Sequence, residues 1–450
     1  MIKVITYGTF DLFHEGHYNL LKRAKALGNY LIVGVTTENY DKSRGKLNVQ
    51  ESLMQRIKNV KESGLADEII IEEYEGQKVE DIQKYKVNKF AIGSDWKCKF
   101  DYLKEFCDVI YLERTKGISS TELREKKNEV IKVGIIGYGR IANRFIAESK
   151  YVSGVNVEGV YGLNKEKLNE FMKKNELSFF ETDYEKFLKK IDAVYVASPH
   201  LTHYEYIKNA LLNKKHVLSE KPIVLTSKQA EELYRLAQEQ KVILLEGIKT
   251  AFSPGFQRLI SLSKSGVIGE IKDIDASFTK LVDGDLRELD SKQAGGSITE
   301  LGSYPFLAIV KLLGVEFSNL ECYSYYDRKK NIDLYTKAFL RFDRAIATAK
   351  VGLGVKSEGE LIISGTKGYI YVPAPWWKTE YFEVRYEDSR NNKKYFYKFE
   401  GDGLRYELCE FINMINSKQG ISYKLTPKES IGIVRLIENC REKTNQNIFY

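Results

Sequence analysis

At 450 residues the chain exceeds what one hydrophobic core usually serves, so two or three domains are expected. Its 43% hydrophobic and 29% charged residues exclude a disordered or fibrous chain. The net charge of +8 is spread without a long basic block, which argues against a nucleic-acid partner and suits phosphorylated substrates.

Residues 2–7 (IKVITY) predict a short strand, 18–27 (YNLLKRAKAL) a helix and 30–36 (YLIVGVT) a buried strand. Ile69–Ile71 and Phe90–Ile92 predict two more strands. Such alternation implies βαβ units on a parallel sheet. It reaches Tyr111 and closes with a helix from about Thr121. Leu123–Val130 is charged and lacks apolar periodicity, which predicts a linker. The pattern then restarts: strand Ile131–Ile136, glycine turn GYGRIA, helix NRFIAESK, and further alternation to about Gly247. From Lys249 longer β-type runs follow (IKDIDASFTKL, KAFLRFD, AIATAKVGL, ELIISG, GYIYVP), implying a mostly antiparallel sheet closed by helices at Leu404–Ile415 and Pro427–Cys440. Cys98, Cys107, Cys322, Cys409 and Cys440 form no CxxC or zinc-type spacing, so reduced thiols are expected. The start MIKVITYGTF has no basic-then-apolar leader, and no apolar run nears the ~20 residues of a membrane span. A cytoplasmic protein with no membrane partner is the expectation.

The first constellation is GTFDLFHEGH, where a strand ends and a helix begins. That junction is where α/β sheets hold phosphates, and His14 and His17 can both turn toward one phosphate across Gly16. A bare HxGH also fits two surface histidines beside a turn. ITYGTFDLFHEGH, LLKRAKALG, Gly45-Lys46, Arg56, AIGSDWKCKFDYL and YLERTKGISST together resemble the HxGH nucleotidyltransferases, and more closely the glycerol-3-phosphate cytidylyltransferase family, across residues 1–125. The resemblance implies in-line attack by an acceptor phosphate on the α-phosphorus of CTP, with release of pyrophosphate. It assigns His14 and His17 to the pentavalent phosphorus, and Arg44, Lys46 and Arg114 to the triphosphate or acceptor phosphate. Gly8, Thr9, Phe10, Asp11, Asp95, Thr115, Ser119, Ser120 and Thr121 would contact the nucleotide, with Asp11 orienting the site or a Mg²⁺. No protein metal site is expected otherwise, and Trp96 can be plain core packing. Ser63-Gly64-Leu65 stands where the family often carries Arg-Tyr, so the acceptor can be glycerol 3-phosphate or another alditol phosphate.

The second constellation is Gly137, Gly139 and Ala142, a GxGxxA between strand and helix. With AVYVASPHLTHYEYIKNALLNKKHVLSEKPI it resembles the Gfo/Idh/MocA oxidoreductases over residues 130–447. The resemblance implies an NAD or NADP cofactor at Gly137, Gly139, Arg140, Ile141, Ala142, Ser198, Pro199, His203, Glu220 and Lys221. Lys221 and Tyr304 become its catalytic pair, with Tyr304 where histidine often stands and Glu300 replacing an aspartate. His203 shapes the cofactor loop. Asn164 and Lys165 stand where an acidic residue would bind the ribose of NAD, and they favour NADP.

The resulting fold class is α/β: an N-terminal Rossmann-like HxGH nucleotidyltransferase domain (1–127), a Rossmann dinucleotide-binding domain (130–248) and an α+β open-sheet substrate and oligomerisation domain (249–450). Two sites on one chain imply consecutive steps: reduction of a ketose phosphate or dihydroxyacetone phosphate, then activation with CTP to a CDP-alditol for teichoic acid or capsule. Oxidation of a free or CDP-linked polyol, or a second half kept only as a dimerisation scaffold, are the alternatives. Small phosphorylated substrates and a homo-oligomer, dimer or tetramer, are the expected partners.

Overall fold

The computed structural model describes residues 1–43, 49, 51–74, 76–113, 130–284, 286–417, 420–442 and 446–450. The chain forms two compact units, Met1–Val130 and Ile131–Tyr450. The helix expected from Thr121, and the linker stretch apart from Val130, lie outside the described residues.

In the first unit, β1 (Lys3–Gly8), β2 (Tyr30–Thr36), β3 (Glu68–Glu72), β4 (Lys89–Gly93) and β5 (Asp108–Leu112) form one parallel sheet ordered β3-β2-β1-β4-β5. Both faces are covered. Val4 packs in one core with Leu21, Val33 and Val60, while Ile5 and Tyr7 pack in another with Ile82 and Phe90. Burial on both sides is why these strands read as continuous apolar runs. Order reverses beside β1, so the carboxyl ends of β1 and β4 border the crevice where such sheets bind ligands.

The second unit begins with a six-stranded parallel sheet of β6 (Ile131–Ile136), β7 (Val155–Tyr161), β8 (Phe179–Glu181), β9 (Ala193–Val196), β10 (His216–Glu220) and β11 (Leu244–Gly247). Its order, β11-β10-β9-β6-β7-β8, is that of a doubly wound dinucleotide-binding sheet. A nine-stranded sheet follows, running from β12 (Ile271–Thr279) through β13 (Asn319–Asp327), β14 (Ile332–Arg341), β15 (Ile346–Gly352), β16 (Leu361–Gly365), β17 (Tyr369–Val372), β18 (Tyr381–Arg385) and β19 (Lys393–Phe396) to β20 (Gln446–Phe449). It is mostly antiparallel, with parallel pairs at β12–β15 and β13–β20. Helices Leu404–Ser417 and Pro427–Arg441 pack back against the parallel half, the first through a buried Arg405–Glu148 ion pair at 2.8 Å. No helix among the described residues is long and apolar enough to cross a membrane.

Candidate functional sites

In the first unit the turn after β1 is forced into an uncommon shape. Phe10 and Leu12 adopt φ values of 52° and 47°, a left-handed conformation that costs non-glycine residues roughly 1–2 kcal/mol. Burial of the Phe10 ring against His17 and Phe13 holds it there. His14 caps helix Glu15–Lys25, its Nδ1 accepting from Gly16 N–H at 3.0 Å. A neutral imidazole that accepts at Nδ1 carries its proton on Nε2. The cap therefore fixes the tautomer and leaves Nε2 as a donor. His17, one turn on, stacks on His14 with ring centroids 3.9 Å apart. The two imidazoles form one face at the crevice mouth.

The base of this loop is anchored by groups that are not local to it. Thr9 Oγ1 donates to Asp41 at 2.8 Å, and Thr36 donates to the same carboxylate at 2.6 Å. The fully buried Arg56 donates to the carbonyls of Thr9 and Thr36 at 2.9 and 2.8 Å. Asp11 accepts from Glu51 N–H at 2.9 Å, and Glu51 in turn accepts from Leu12 N–H at 2.9 Å. Asp11 thus orients the turn. No group of three or more metal-type ligands occurs among the described residues. Trp96 packs on Phe100 and on the Ile5/Tyr7 core. Arg44, Lys46, Arg114, Thr115, Ser119, Ser120 and Thr121 lie outside the described residues, as does the side chain of Asp95. Gly8 ends β1 itself.

In the second unit Gly137 follows β6 at φ +101°, and a Cβ there would lie 2.7 Å from the Ala197 carbonyl. Only glycine fits. A Cβ on Gly139, the N-cap of helix Arg140–Ser149, would meet nothing, so the backbone is open to a close-lying phosphate. Ala142 is buried behind it, while Arg140 reaches Glu288 at 3.3 Å. Asn164 and Lys165 are exposed at the end of β7, where Asn164 caps helix Lys165–Lys174 by accepting from Lys167 N–H at 3.0 Å. The glycine turn fits the pyrophosphate of a dinucleotide.

His203 is fully buried, with ring nitrogens 2.9 Å from the Ser198 carbonyl and 3.0 Å from the Pro222 carbonyl. It ties the loop after β9 to the loop after β10, while Pro199 and Ser198 accept from Thr202. Burial lowers the pKa of His203, while its two carbonyl partners act in the opposite direction. Lys221, next after β10, donates from Nζ to the Glu300 carbonyl at 2.7 Å and lies 5.9 Å from the centroid of the Tyr304 ring. Structure thus brings together Lys221 and Tyr304, which are 83 residues apart in the chain. Tyr304 lies at the second position of helix Ser303–Leu313, one short helix (Ser297–Leu301) beyond Gly296. Burial and the nearby Glu220 and Glu407 hold its phenol well above the ordinary range. Burial also raises Glu220, which accepts from Tyr195 Oη at 2.5 Å.

Sequence reasoning missed the support behind this pair. Arg287 grips the Glu300 carboxylate in a fork of 2.9 and 3.1 Å, with His200, kept neutral by burial, beside it. Buried Glu407, on helix Leu404–Ser417, lies within the field of Glu220 and Lys249.

Comparisons with known proteins cover both units. Residues 5–126 match the cytidylyltransferase-like family. Residues 131–248 match the oxidoreductase family with an NAD-binding Rossmann fold, and 256–371 the GFO/IDH/MocA C-terminal domain. Glycerol-3-phosphate cytidylyltransferase of Bacillus spizizenii is 51% identical over 125 residues, 28% of this chain and 96% of that protein. The chain belongs to the cytidylyltransferase and Gfo/Idh/MocA oxidoreductase families, one after the other. Both are enzyme families. In the second, scyllo-inositol 2-dehydrogenase (NADP(+)) of Bacillus subtilis is 25% identical over 326 residues, 70% of this chain and 97% of that protein. A 3-ketoreductase from Actinomadura kijaniata, solved with NADP and TDP-benzene, shares the fold at TM-score 0.64 and 23% identity, covering 71% of this chain and 99% of its own.

Proposed function

We propose that the chain makes a CDP-alditol in two steps. The second unit reduces a ketose phosphate or dihydroxyacetone phosphate, and the first transfers cytidylyl from CTP to glycerol 3-phosphate or the corresponding alditol phosphate. The observation that carries the reading is the stacked His14–His17 pair, with the tautomer of His14 fixed by Gly16. Two imidazole donors on one face suit the charge that builds on a phosphorus attacked in line. The 51% likeness to a glycerol-3-phosphate cytidylyltransferase supports CTP and a polyol phosphate as substrates.

Thr9, Phe10 and Asp11 shape the turn under the triphosphate. Gly8, Arg44, Lys46, Asp95, Arg114, Thr115, Ser119, Ser120 and Thr121 are proposed contacts to the nucleotide or acceptor. Mg²⁺ is proposed to arrive with the triphosphate. NADP is the proposed cofactor of the second unit, held by Gly137 to Ala142 and by Asn164 and Lys165, with an NADP(+)-dependent relative in support. It supplies the hydride when bound. Lys221 and Tyr304 then polarise the carbonyl and protonate its oxygen, with Ser198, Pro199, His203 and Glu220 keeping their loops in place. Domains at 1–127, 130–248 and 249–450, a cytoplasmic setting and a role in teichoic acid or capsule precursors belong to the same proposal. So does a homo-oligomer, for which the groove of about 590 Å³ lined by Tyr323, Phe339 and Ile346 offers a surface. The test is pyrophosphate release from CTP with a panel of alditol phosphates, against ATP as control. Equal turnover with both nucleotides would refute the cytidylyl assignment.

A further inference from the structure

Glu407 is costly as a purely structural residue. It sits on helix Leu404–Ser417 with no exposed surface, and neither carboxylate oxygen has a hydrogen-bond partner among the described residues. Lys249 is a cation whose field reaches it, but the Lys249 ammonium donates instead to the Asp402 carbonyl at 2.7 Å. Both oxygens lie 3.2 Å from where a Cβ on Gly247 would be. Gly247 pairs in register with Glu220, so Glu407 rests at the carboxyl end of β10 and β11, beside the strand end that carries Lys221. The groups facing this spot are Tyr195 from β9, Glu220 at the end of β10, Lys221 just after it, Lys249 with Asp402 and Lys378 around it, Glu148 from helix Arg140–Ser149, and Tyr304.

An ionised carboxylate with no hydrogen bond in a dry interior is strongly unfavourable, and it takes up a proton instead. Gly247 pairs with Glu220 and lies against the Glu407 oxygens, so the two carboxyls are neighbours, and burial raises both. Reduction of a carbonyl adds a hydride to carbon and a proton to oxygen, so each turnover consumes one proton. When the Tyr304 O–H bond breaks and the product O–H bond forms, a phenolate is left beside two carboxyl groups. That buried phenolate needs a proton from close by.

We propose that Glu407 is the proton store of the reduction site, a positioning residue that acts through Glu220 to return a proton to Tyr304 after each turnover. The store refills from water, so the balance is one hydride from the reduced cofactor and one solvent proton per alcohol formed. The proposal rests on Lys221 and Tyr304 being the donor pair.

The test uses the full-length chain in two arms. The first needs no substrate. Infrared spectra at about pH 8 should show a protonated carboxyl band that Glu407→Gln removes. In the same samples the ultraviolet titration of Tyr304, referenced to Tyr304→Phe, should move to lower pH in Glu407→Gln. Identical spectra, or an unmoved Tyr304 titration, would overturn the proposal. The second arm follows NADPH oxidation with dihydroxyacetone phosphate or ribulose 5-phosphate. Glu407→Gln should lower kcat by about tenfold or more, leave KM and NADPH affinity unchanged, and regain rate with added imidazole. A wild-type pH profile of kcat in that variant would also overturn it. Should Glu407→Gln misfold, Tyr195→Phe cuts the bond to Glu220 without touching Glu407, and the same shift of Tyr304 is expected. If wild type oxidises NADPH with neither sugar phosphate, the reading of the reaction fails, while the first arm still decides whether Glu407 holds a proton coupled to Tyr304.

Discussion

His14 has two duties that substitution can separate. Its Nδ1 caps helix Glu15–Lys25 through Gly16 N–H, and its Nε2 is the proposed donor to the reacting phosphate. His14→Ala removes both. Loss of the cap costs about 1 kcal/mol, roughly a fivefold rise in amide exchange through the first helical turn. Loss of a donor to developing charge costs about 3–4 kcal/mol, or roughly 10²–10³ in rate. His14→Asn should behave differently, because asparagine is a good N-cap yet its short amide does not reach as the imidazole does. We expect His14→Asn to restore the exchange protection of residues 15–18 to nearly wild type while pyrophosphate release from CTP stays at least about 100-fold down. Hydrogen-exchange mass spectrometry and a coupled pyrophosphate assay read the two effects on the same protein. If His14→Asn recovers the rate along with the helix, His14 is a cap and the catalytic reasoning is refuted.

In the second unit, Lys221→Ala should bind NADPH like wild type, because the turn from Gly137 to Ala142 holds the phosphates, yet lose turnover; loss of fluorescence-detected binding would contradict this. Arg405→Ala strands the buried Glu148 carboxylate, and denaturant unfolding of the second unit should lose about 3–5 kcal/mol, most of it regained in Glu148→Gln/Arg405→Met. Glu246 is raised to about 7 and Asp333 to about 6 by burial. Both bind their protons more tightly folded than unfolded, so the stability these two carboxyls contribute is fully present below about pH 4 and is lost as pH rises through 6 and 7. Glu246→Gln should flatten the upper part of that fall in thermal melts across pH, and an unchanged slope would count against it.

Much of the fold was legible because buried parallel strands such as Tyr30–Thr36 are unbroken apolar runs between helical segments. The strands missed from sequence carry a weaker pattern. Lys393–Phe396 is an exposed edge, and Asn319–Asp327 buries only Cys322 and Ser324, so neither stands out from a loop. HEGH and GYGRIA were legible because each is local, a strand end, a turn and a cap within ten residues. Arg287, His200 and Lys249 were not, since three separate segments deliver them to Glu300, Lys221 and Glu407. Glu407 did leave a trace. Leu404, Phe411 and Met414 share its helical face at spacings of three, four and seven, so the carboxylate interrupts an apolar stripe.

The central claim is that the two units act in sequence on one polyol phosphate. The most direct measurement supplies the full-length chain with CTP, NADPH and one ketose phosphate or dihydroxyacetone phosphate, and follows NADPH absorbance and nucleotide products together by mass spectrometry. The account predicts NADPH oxidation and a CDP-alditol whose formation needs both reagents, with Lys221→Ala blocking it until the alditol phosphate is added. A CDP-alditol formed only from added alditol phosphate in the wild type, with NADP⁺ reduced once that product appears, would contradict it.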